Sequence, residues 1–384
     1  MYDTSGEEIV SKIPIIDLFA GAGGIGIGVQ QAGGDLRLSV ELDPVCCQTL
    51  RKNKKLHPGE VLEADVSTLD GEGLRETAGL SKKDPVVIVG GPPCQPFSKA
   101  AYWTDPGEDS KFRRARAQGK KARRPKPITE AKPDERRNLV NEFLELVIKI
   151  DADGFLFENV PSILHPRNKV LALNFIAQAE SNGYKTTMVK ANAADYGVPQ
   201  LRERVFILGS KYSTPQIPEP THTRSEKNAD LFKKAAVTTG EVLKGFGATK
   251  FFEPEEVVSG KWEEEFREVP PGWNYKALTA WAGHPNPVFE AETRFWNFLL
   301  KLSPDKPSWT IAANPGPWVG PFHWDNRRLR TPELSALQSF PKRYKFTGNK
   351  RERIRQIGNA APPLLVQKMA EQVLATLNGD GGQG

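Results

Sequence analysis

An apolar stretch that ends in a rigid turn constrains the fold of this 384-residue chain more than any other feature. Residues 86–89 (VVIV) are typical of a strand buried on both faces of a parallel sheet. The stretch leads directly into Gly-Gly-Pro-Pro and then Cys94. Ligands bind beyond the carboxyl ends of the strands in open α/β sheets, so Cys94 stands where chemistry is usually carried out. The alternative is a small, buried and inert cysteine.

The stretch GGPPCQPFS resembles the catalytic motif of the cytosine-5 DNA methyltransferases, and it matches the pattern G-x-P-C-Q-x-F-S at every fixed position. The resemblance implies that Cys94 is the catalytic nucleophile. It also implies that Pro93 contacts the cofactor and that Gln95 and Ser98 contact DNA.

A glycine-rich segment follows the first predicted strand, residues 13–19. Gly21, Gly23 and Gly26 have the spacing G-x-G-x-x-G, and Glu41 lies twenty residues after Gly21. Such glycines let the backbone approach a cofactor, and the acid accepts hydrogen bonds from ribose hydroxyls. The pattern indicates an adenosine-bearing cofactor without identifying it, so an oxidoreductase that uses a dinucleotide remains an alternative.

The sequence DLFAGAGG resembles the first motif of the same methyltransferase family, which implies S-adenosylmethionine as cofactor and S-adenosylhomocysteine as product. IGNAAPP resembles the family's last motif, with Ala361 where valine is usual. The family's cofactor-binding residues correspond here to Phe19, Ala20, Gly21, Gly23, Gly24, Glu41, Leu42, Asp65, Val66, Pro93, Leu139, Asn359 and Ala361.

Two later strands carry the remaining candidate catalytic residues. The apolar stretch 154–160 presents Glu158 at its carboxyl end, and a buried glutamate is rare unless it is paired or functional. FENV resembles the family's Glu-Asn-Val motif, and QLRER matches its Q-x-R-x-R. The resemblance implies catalytic roles for Glu158, Arg202 and Arg204. Because residues two apart on a strand share a face, we expect both arginines to point into one pocket.

The positive charge of the chain is local. Residues 111–126 hold nine Lys or Arg and no acid, whereas the whole chain has 53 Lys or Arg against 47 Asp or Glu. The resemblance places this segment in a mobile catalytic loop, residues 98–136, that closes over DNA. A solvated surface segment is the alternative, since charged runs usually have that role.

Composition limits the remaining possibilities. No apolar run approaches the roughly 18 residues that a membrane span requires, so no membrane association is expected. Cys46, Cys47 and Cys94 form no disulfide framework, which suits a reducing cytoplasm. The five histidines have no metal-ligand spacing, so no metal is expected.

These observations predict an α/β fold: a Rossmann-like methyltransferase sheet with helices on both faces, plus a smaller irregular domain. We expect residues 1–212 to form the catalytic and cofactor-binding domain, 213–340 the target-recognition domain, and 341–384 a segment that returns to the catalytic domain. A helix is expected around residues 290–302. Seven of the eight tryptophans lie between Trp262 and Trp324, and we expect them to form the smaller domain's core; a base-stacking surface is the alternative.

The predicted function is DNA cytosine-5 methylation through a covalent Cys94 adduct with a flipped cytosine in a specific duplex sequence. Double-stranded DNA is the expected partner, alongside a cognate restriction endonuclease in the same system, and we expect a cytoplasmic, nucleoid-associated monomer. The tRNA-methylating branch of the family is the main alternative. Candidate DNA-contacting residues, besides Gln95 and Ser98, are Asn159, Gln200, Arg327, Arg328 and Arg330.

Overall fold

The computed structural model describes residues 12–97, 111–112, 115–116, 119–123, 134–224 and 233–378. Within these ranges the largest sheet has seven strands in the order β3-β2-β1-β4-β5-β8-β6. The seven strands of this sheet are β1 (Pro14–Leu18), β2 (Asp35–Glu41), β3 (Glu60–Glu63), β4 (Val87–Gly90), β5 (Gly154–Asn159), β6 (Lys185–Asn192) and β8 (Glu203–Ser210). The two-residue strand β7 (Gln200–Leu201) precedes β8 and lies outside this sheet. β1 to β5 pair in parallel, and β8 is antiparallel to β5 and β6. The predicted, mostly parallel α/β fold is confirmed.

Helices cover both faces of this sheet. In chain order, the principal helices are α1 (Gly24–Gln31), α2 (Pro44–Lys52), α3 (Gly71–Thr77), α4 (Leu139–Lys149), α5 (Lys169–Ser181), α6 (Thr239–Leu243), α7 (Glu263–Glu268), α8 (Thr331–Leu337), α9 (Lys350–Asn359) and α10 (Pro363–Asn378). α3, α4 and α5 pack on one face, whereas α1 and α10 pack on the other. Of the helices in the described ranges, none is both long and apolar enough to cross a membrane.

The apolar strand before Cys94 is buried on both faces, as its unbroken hydrophobic sequence predicts. Ile88 packs toward α4 and α5, and its neighbours Val87 and Val89 pack toward α1 and α10. β5 repeats this alternation, with Phe155 on one face and Leu156 on the other. Both strands are therefore central in the sheet, and their carboxyl ends open at the same edge.

The last helix returns the end of the chain to its beginning. Leu365, Met369 and Val373 form an apolar stripe along α10, and all three are buried. They share a core cluster with Ile25 and Val29 of α1. The segment just before α10 is thereby brought to the glycine-rich turn after β1.

Between β8 and α8 the described residues form mainly turns, the short helices α6 and α7, and two-residue strands. The latter are β9 (His222–Thr223), β10 (Lys234–Ala235), β11 (Ser308–Trp309), β12 (Phe322–His323) and β13 (Arg327–Arg328). A small apolar cluster contains Phe266, Tyr275, Phe289 and Phe322. A second cluster joins Ile27 of α1 to residues between Leu243 and Ile357.

The prediction of a helix around residues 290–302 is wrong. Glu292 and Leu299 have positive φ angles of 64° and 52°, which an α-helix does not allow. The backbone NH of Leu299 donates to the carbonyl of Trp318 at 2.9 Å, so backbone groups in this stretch bind a distant segment instead of the next turn. Tertiary hydrogen bonds have overridden the local apolar spacing.

The prediction that the tryptophans of the smaller domain form its core holds for only some of them. Trp262, Trp318 and Trp324 pack partly buried against apolar clusters, as expected for core residues. Four others are exposed on the surface: Trp273, Trp281, Trp296 and Trp309. Roughly half of these rings are therefore available for contacts outside the chain.

His57 gives the fold a predictable sensitivity to acid. The His57 ring is 1% exposed and packs directly against Gly26. A Cβ added at Gly26 would lie only 2.5 Å from the ring's Nε2. Burial lowers the pKa of His57 to about 4, while the unfolded chain keeps a value near 6.5. Between these values the unfolded state binds the proton more strongly, so this stability contribution is complete above pH 6.5 and is lost as the pH falls.

We expect the stability advantage of the wild type over His57→Gln to shrink by about 2 kcal/mol between pH 7 and pH 5. Urea unfolding of both proteins at each pH measures this difference. His165→Gln is the comparison: that ring is largely exposed at the start of a surface turn, and although its pKa is also lowered, the pH-dependent difference should be smaller than for His57. An equal difference at both pH values would show that His57 is not buried in its neutral form.

Candidate active site

A cavity of about 800 Å³ opens at the carboxyl ends of β1, β2, β4 and β5. Parallel strands end at the same edge of a sheet, so the loops that follow them meet there. The wall combines residues from many parts of the chain: the turn after β1, the end of β2, the turns after β3 and β4, the start of α4, the end of β5, the start of β8 and the carboxyl end of α9. The cavity therefore assembles the stretches that the sequence motifs singled out.

Cys94 lies in this cavity, four residues after β4 ends. Its carbonyl accepts a hydrogen bond from the NH of Phe97 at 3.0 Å, which closes a short turn. Phe97 is fully buried, so it anchors that turn in the core. Asn159 Nδ2 donates to the carbonyl of Pro92 at 3.3 Å and fixes the approach to the cysteine. The thiol is thus held on a rigid turn and remains partly accessible.

Glu158 and Arg204 form an ion pair beside Cys94. Arg204 Nε lies 2.7 Å from Glu158 Oε1, and their side chains are only 10% and 12% exposed. β5 ends where the antiparallel β8 begins, which brings the two residues to the same edge. A Cβ on Gly91 would lie 2.7 Å from Glu158 Oε2, so the glycine is needed for this close approach. Cys94, Glu158 and Arg204 line the same cavity.

Burial dominates the acid–base properties of this group. It raises the pKa of the Glu158 carboxyl, and Arg204 only partly opposes that effect. Burial also raises the pKa of the Cys94 thiol, with Arg204 again opposing and Glu158 adding to the rise. The arginines nearby lower the pKa of the thiol, but their effect is smaller than the cost of burying the thiolate. In the unliganded protein the thiol is therefore mostly protonated at neutral pH.

Arg202 is not placed in the cavity with Arg204. It is 1% exposed and donates to the carbonyls of Gly358 at 2.7 Å and Ala360 at 3.0 Å. Residues two apart share a face only within one continuous strand, and Arg202 lies at the break between β7 and β8. The residue it supports is Asn359, which stands between its two carbonyl partners and lines the cavity.

We expect Arg202→Lys to weaken binding of S-adenosylmethionine about tenfold and to destabilise the fold by roughly 2–4 kcal/mol. The guanidinium uses two nitrogens: Nη2 donates to Gly358 and Ala360, and Nη1 donates to the carbonyl of Ile311 at 3.4 Å. A lysine has one donor nitrogen, which cannot serve all three carbonyls, so a buried acceptor loses its partner. Calorimetric titration with the cofactor and urea unfolding measure the two effects. A variant with normal cofactor affinity but slow methyl transfer would instead place Arg202 in the chemical step.

Glu41 organises the side of the cavity nearest β1 and β2. Its carboxylate accepts hydrogen bonds from the backbone NH groups of Gly21 at 2.6 Å, Leu42 at 2.9 Å and Asp43 at 2.8 Å. Burial raises the pKa of Glu41, and these NH groups oppose the rise. The carboxylate therefore holds the glycine turn in place while lining the cavity.

Most of the other predicted cofactor residues also line this cavity. They are Phe19, Ala20, Gly21, Gly24, Leu42, Asp65, Val66, Pro93, Leu139, Asn359 and Ala361. The exception is Gly23, which stands at the start of α1 and faces Leu50, His57 and Tyr344 instead. Gly24 packs so closely that a Cβ would lie 2.3 Å from the carbonyl oxygen of Ala361. This contact joins the first and last motifs across the cavity.

Asp43 and Arg355 are cavity residues that the sequence reasoning missed. Arg355 Nη1 lies 2.6 Å from Asp43 Oδ2, and both residues line the cavity. Asp43 also caps α2 by accepting from the NH of Val45 at 2.9 Å. The sequence contained an indication for each of these residues. Asp43 directly precedes the proline that begins α2. Arg355 lies four residues before the predicted cofactor residue Asn359, and therefore on the same face of the helix.

The candidate DNA-contacting residues have varied positions. Gln95 lines the cavity, whereas Ser98 lies outside the described residues. Gln200 is fully buried and donates to Gln338 Oε1 at 2.5 Å. The remaining candidates bind protein groups: Asn159 as described above, Arg327 with Glu333, Arg328 with the carbonyl of Pro317, and Arg330 with Glu256.

Comparison with known proteins identifies what this arrangement resembles. The family profile described as C-5 cytosine-specific DNA methylase matches residues 13–375. The Type II methyltransferase M.SacI of Streptomyces achromogenes is 34% identical over 94% of this chain and 94% of its own length. The Type II methyltransferase M1.HphI of Haemophilus parahaemolyticus is 33% identical over 94% of this chain and 87% of its own length.

Solved structures share the fold over almost the whole chain. A protein described as a DNA modification methyltransferase encoded within a prophage (E. coli) aligns with a TM-score of 0.63 and 21% identity, covering 96% of this chain and all of that one. The S. pombe Dnmt2 methyltransferase aligns with a TM-score of 0.55 and 12% identity over the same shares. At these identities the likeness concerns the fold alone.

Proposed function

The chain belongs to the family of C-5 cytosine-specific DNA methylases, and we propose that it methylates a cytosine that has been turned out of a specific duplex sequence, through a covalent bond to Cys94. The observation that carries this proposal is the placement of Cys94, Glu158 and Arg204 in one cavity with the glycine turn after β1. The fold and the enzyme class follow from the family. The adduct, the roles of individual residues and the flipping of the base are the proposed part.

The reaction needs a nucleophile because carbon 5 of cytosine is itself a poor one. The Cys94 thiolate adds to carbon 6 of the ring, and the electron pair displaced from the 5,6 double bond makes carbon 5 nucleophilic. Cysteine suits this role because its sulfur is strongly nucleophilic even when only a small fraction is ionised. After methylation, removal of the proton from carbon 5 restores the double bond and expels the Cys94 sulfur.

Glu158 and Arg204 are placed to stabilise the charge that this addition creates. Negative charge develops on ring nitrogen 3 and on the carbonyl oxygen as the sulfur adds. A Glu158 carboxyl whose pKa is raised by burial can hold a proton for nitrogen 3. Arg204 is fixed by its ion pair, so its remaining guanidinium NH groups can donate to the carbonyl oxygen without reorganisation.

The cavity fits S-adenosylmethionine, the methyl donor that enzymes of this family use. The fit rests on the backbone of the glycine turn and on Glu41, a partly buried acid at the end of β2. We propose that Glu41 binds the ribose hydroxyls, Asp65 the adenine amino group, and Asn359 the opposite side of the cofactor. When bound, the cofactor supplies an electrophilic methyl group on a positively charged sulfur.

The cytosine has to leave the base stack before Cys94 can reach it. Extruding a base costs a few kcal/mol, which contacts with the opened duplex must offset. The basic residues 111–126 are proposed to supply phosphate contacts along the DNA; seven of these sixteen residues lie outside the described ranges. We further propose that the enzyme acts as a cytoplasmic monomer that protects host DNA from a cognate endonuclease, as in a restriction-modification system.

Two measurements test this function. Bisulfite sequencing of DNA from an expressing host should show methylated cytosines within one recurring sequence. Purified protein should then transfer labelled methyl groups to a duplex with that sequence but not to one in which the target cytosine is replaced. Transfer to tRNA with none to duplex DNA would overturn the proposal in favour of the tRNA-methylating alternative.

A further inference from the structure

Three exposed tryptophans have no part in the chemistry proposed above. Trp281 is 70% exposed, Trp296 52% and Trp309 37%. Single exposed apolar residues are ordinary, but neighbouring exposed rings mark a surface that contacts something else. We call these three residues the aromatic face.

The rings of the aromatic face are linked through direct contacts. The ring centroids of Trp296 and Trp309 are 5.5 Å apart, with the planes at 70°. Lys276 Nζ lies 5.4 Å from the Trp296 ring and 5.7 Å from the Trp281 ring, so one ammonium joins two indoles. Glu292 pairs with the same lysine. The positive charge of Lys276 is thus neutralised by Glu292, and the exposed indole rings are the groups available for contact with a partner.

The backbone beneath these rings is held by the catalytic part of the chain. β11 pairs in parallel with β7, and Trp309 is opposite Leu201. Ser308 NH donates to the carbonyl of Pro199 at 2.9 Å, and Thr310 Oγ1 donates to the carbonyl of Leu201 at 2.7 Å. Trp309 therefore has a fixed position although it is far from Leu201 in the sequence.

This pairing places the aromatic face near the candidate active site. Leu201 precedes Arg204 by three residues, and Arg204 contacts Glu158 in the cavity. The Cα atoms of Trp309 and Leu201 are about 5 Å apart across the strand pair, and the three residues from Leu201 to Arg204 span at most about 3.5 Å each. The Cα of Trp309 therefore lies within roughly 16 Å of the Cα of Arg204. That distance is less than half a turn of duplex DNA, which repeats every 34–36 Å.

We propose that the aromatic face contacts the DNA duplex beside the extruded cytosine, with Trp296 and Trp309 packing against bases that lose a stacking neighbour. The inference rests on the proposed function, because only a DNA substrate with a flipped base presents such bases. Every base has a flat π-face, so an aromatic ring can replace the lost neighbour without reading the sequence. The matched charge of Lys276 and Glu292 favours contact with bases over contact with phosphates.

The test uses the full-length protein and a fluorescein-labelled 30-base-pair duplex that contains the methylated sequence found by bisulfite sequencing. Fluorescence anisotropy gives the dissociation constant for the duplex at several salt concentrations, with the cofactor product present. The variants are Trp296→Ala, Trp309→Ala, and the corresponding phenylalanine substitutions. Tyr212→Ala is the matched control, since this aromatic residue is 40% exposed beyond the far end of β8.

We expect each alanine variant to bind the duplex at least about 5-fold more weakly, the lower end of the effect of removing a base-stacking ring. The slope of log Kd against log salt should not change, because no phosphate contact is lost. Phenylalanine should restore most of the affinity, and cofactor binding should match that of the wild type. Tyr212→Ala should bind like the wild type.

Alternative results separate this inference from the proposed function. If the wild type methylates the duplex and both alanine variants bind it normally, the DNA contact is refuted while the function stands. A reduced salt slope would mean lost phosphate contacts, and a change in sedimentation of the free protein would assign the face to a second copy of the chain; either overturns the inference. A wild type that does not methylate DNA refutes the proposed function itself.

Discussion

Cys94→Ser is expected to lower methyl transfer by at least about 10⁴-fold while leaving DNA and cofactor binding within a few fold of the wild type. A serine hydroxyl has nearly the same size, so the turn that follows β4 should persist. An alcohol is far harder to ionise than a thiol, however, and it is a much weaker nucleophile toward carbon 6. Transfer of labelled methyl groups and anisotropy with a target duplex measure the two parts.

The covalent bond itself can be observed. With 5-fluorocytosine at the target position, carbon 5 carries fluorine instead of a removable proton after methylation, so the Cys94 sulfur cannot be expelled. The wild type should therefore remain attached and migrate as a protein–DNA adduct under denaturing conditions. Cys94→Ser should give no adduct. Cys47→Ala is the control, because Cys47 is a fully buried thiol whose pKa burial raises to about 12. An adduct through any other residue contradicts the assignment of Cys94.

Glu158→Gln should lower the turnover rate by about 10²–10⁴-fold, the usual range for a general acid–base group. Glutamine fills the same space beneath Gly91 but has no proton to give to ring nitrogen 3, and it loses the ion pair with Arg204. Burial raises the pKa of both groups, and turnover needs an ionised Cys94 together with a protonated Glu158, so wild-type activity should have a rising and a falling limb with pH.

The pH profile distinguishes a chemical role for Glu158 from a structural one. In Glu158→Gln the falling limb at higher pH should vanish, and the rising limb should remain. Glu203→Gln is the matched control: this glutamate begins the same β8, is half exposed, and pairs with Lys190 at 3.3 Å. We expect the control to retain the wild-type profile. A variant at position 158 with an unchanged bell-shaped profile would rule out its role as the acid.

Much of the candidate site could be predicted because each part is encoded locally. The apolar stretch before Cys94 indicates a central strand, and Glu158 ends another such strand. Central parallel strands present their carboxyl ends at one edge, so both residues had to lie there. The resemblance to the methyltransferase family added the family itself, which the family profile bears out over residues 13–375.

Other features depend on contacts between residues that are distant in the sequence. Arg202 and Arg204 look equivalent in the QLRER motif, yet one supports the carbonyls of Gly358 and Ala360 and the other pairs with Glu158. Nothing in the motif indicates which buried carbonyls will need a donor. The Asp43–Arg355 pair has the same origin, since it joins segments more than 300 residues apart.

The sequence by itself therefore determined the sheet, the chemistry-bearing side chains and the family, because strand burial, glycine turns and residue type act over a few neighbouring positions. Only the tertiary structure decided which side chain enters the cavity, that residues 290–302 form no helix, and which tryptophans reach the surface. The physical reason is that a backbone or side-chain polar group takes the best partner the folded chain offers, and that partner is usually remote in sequence.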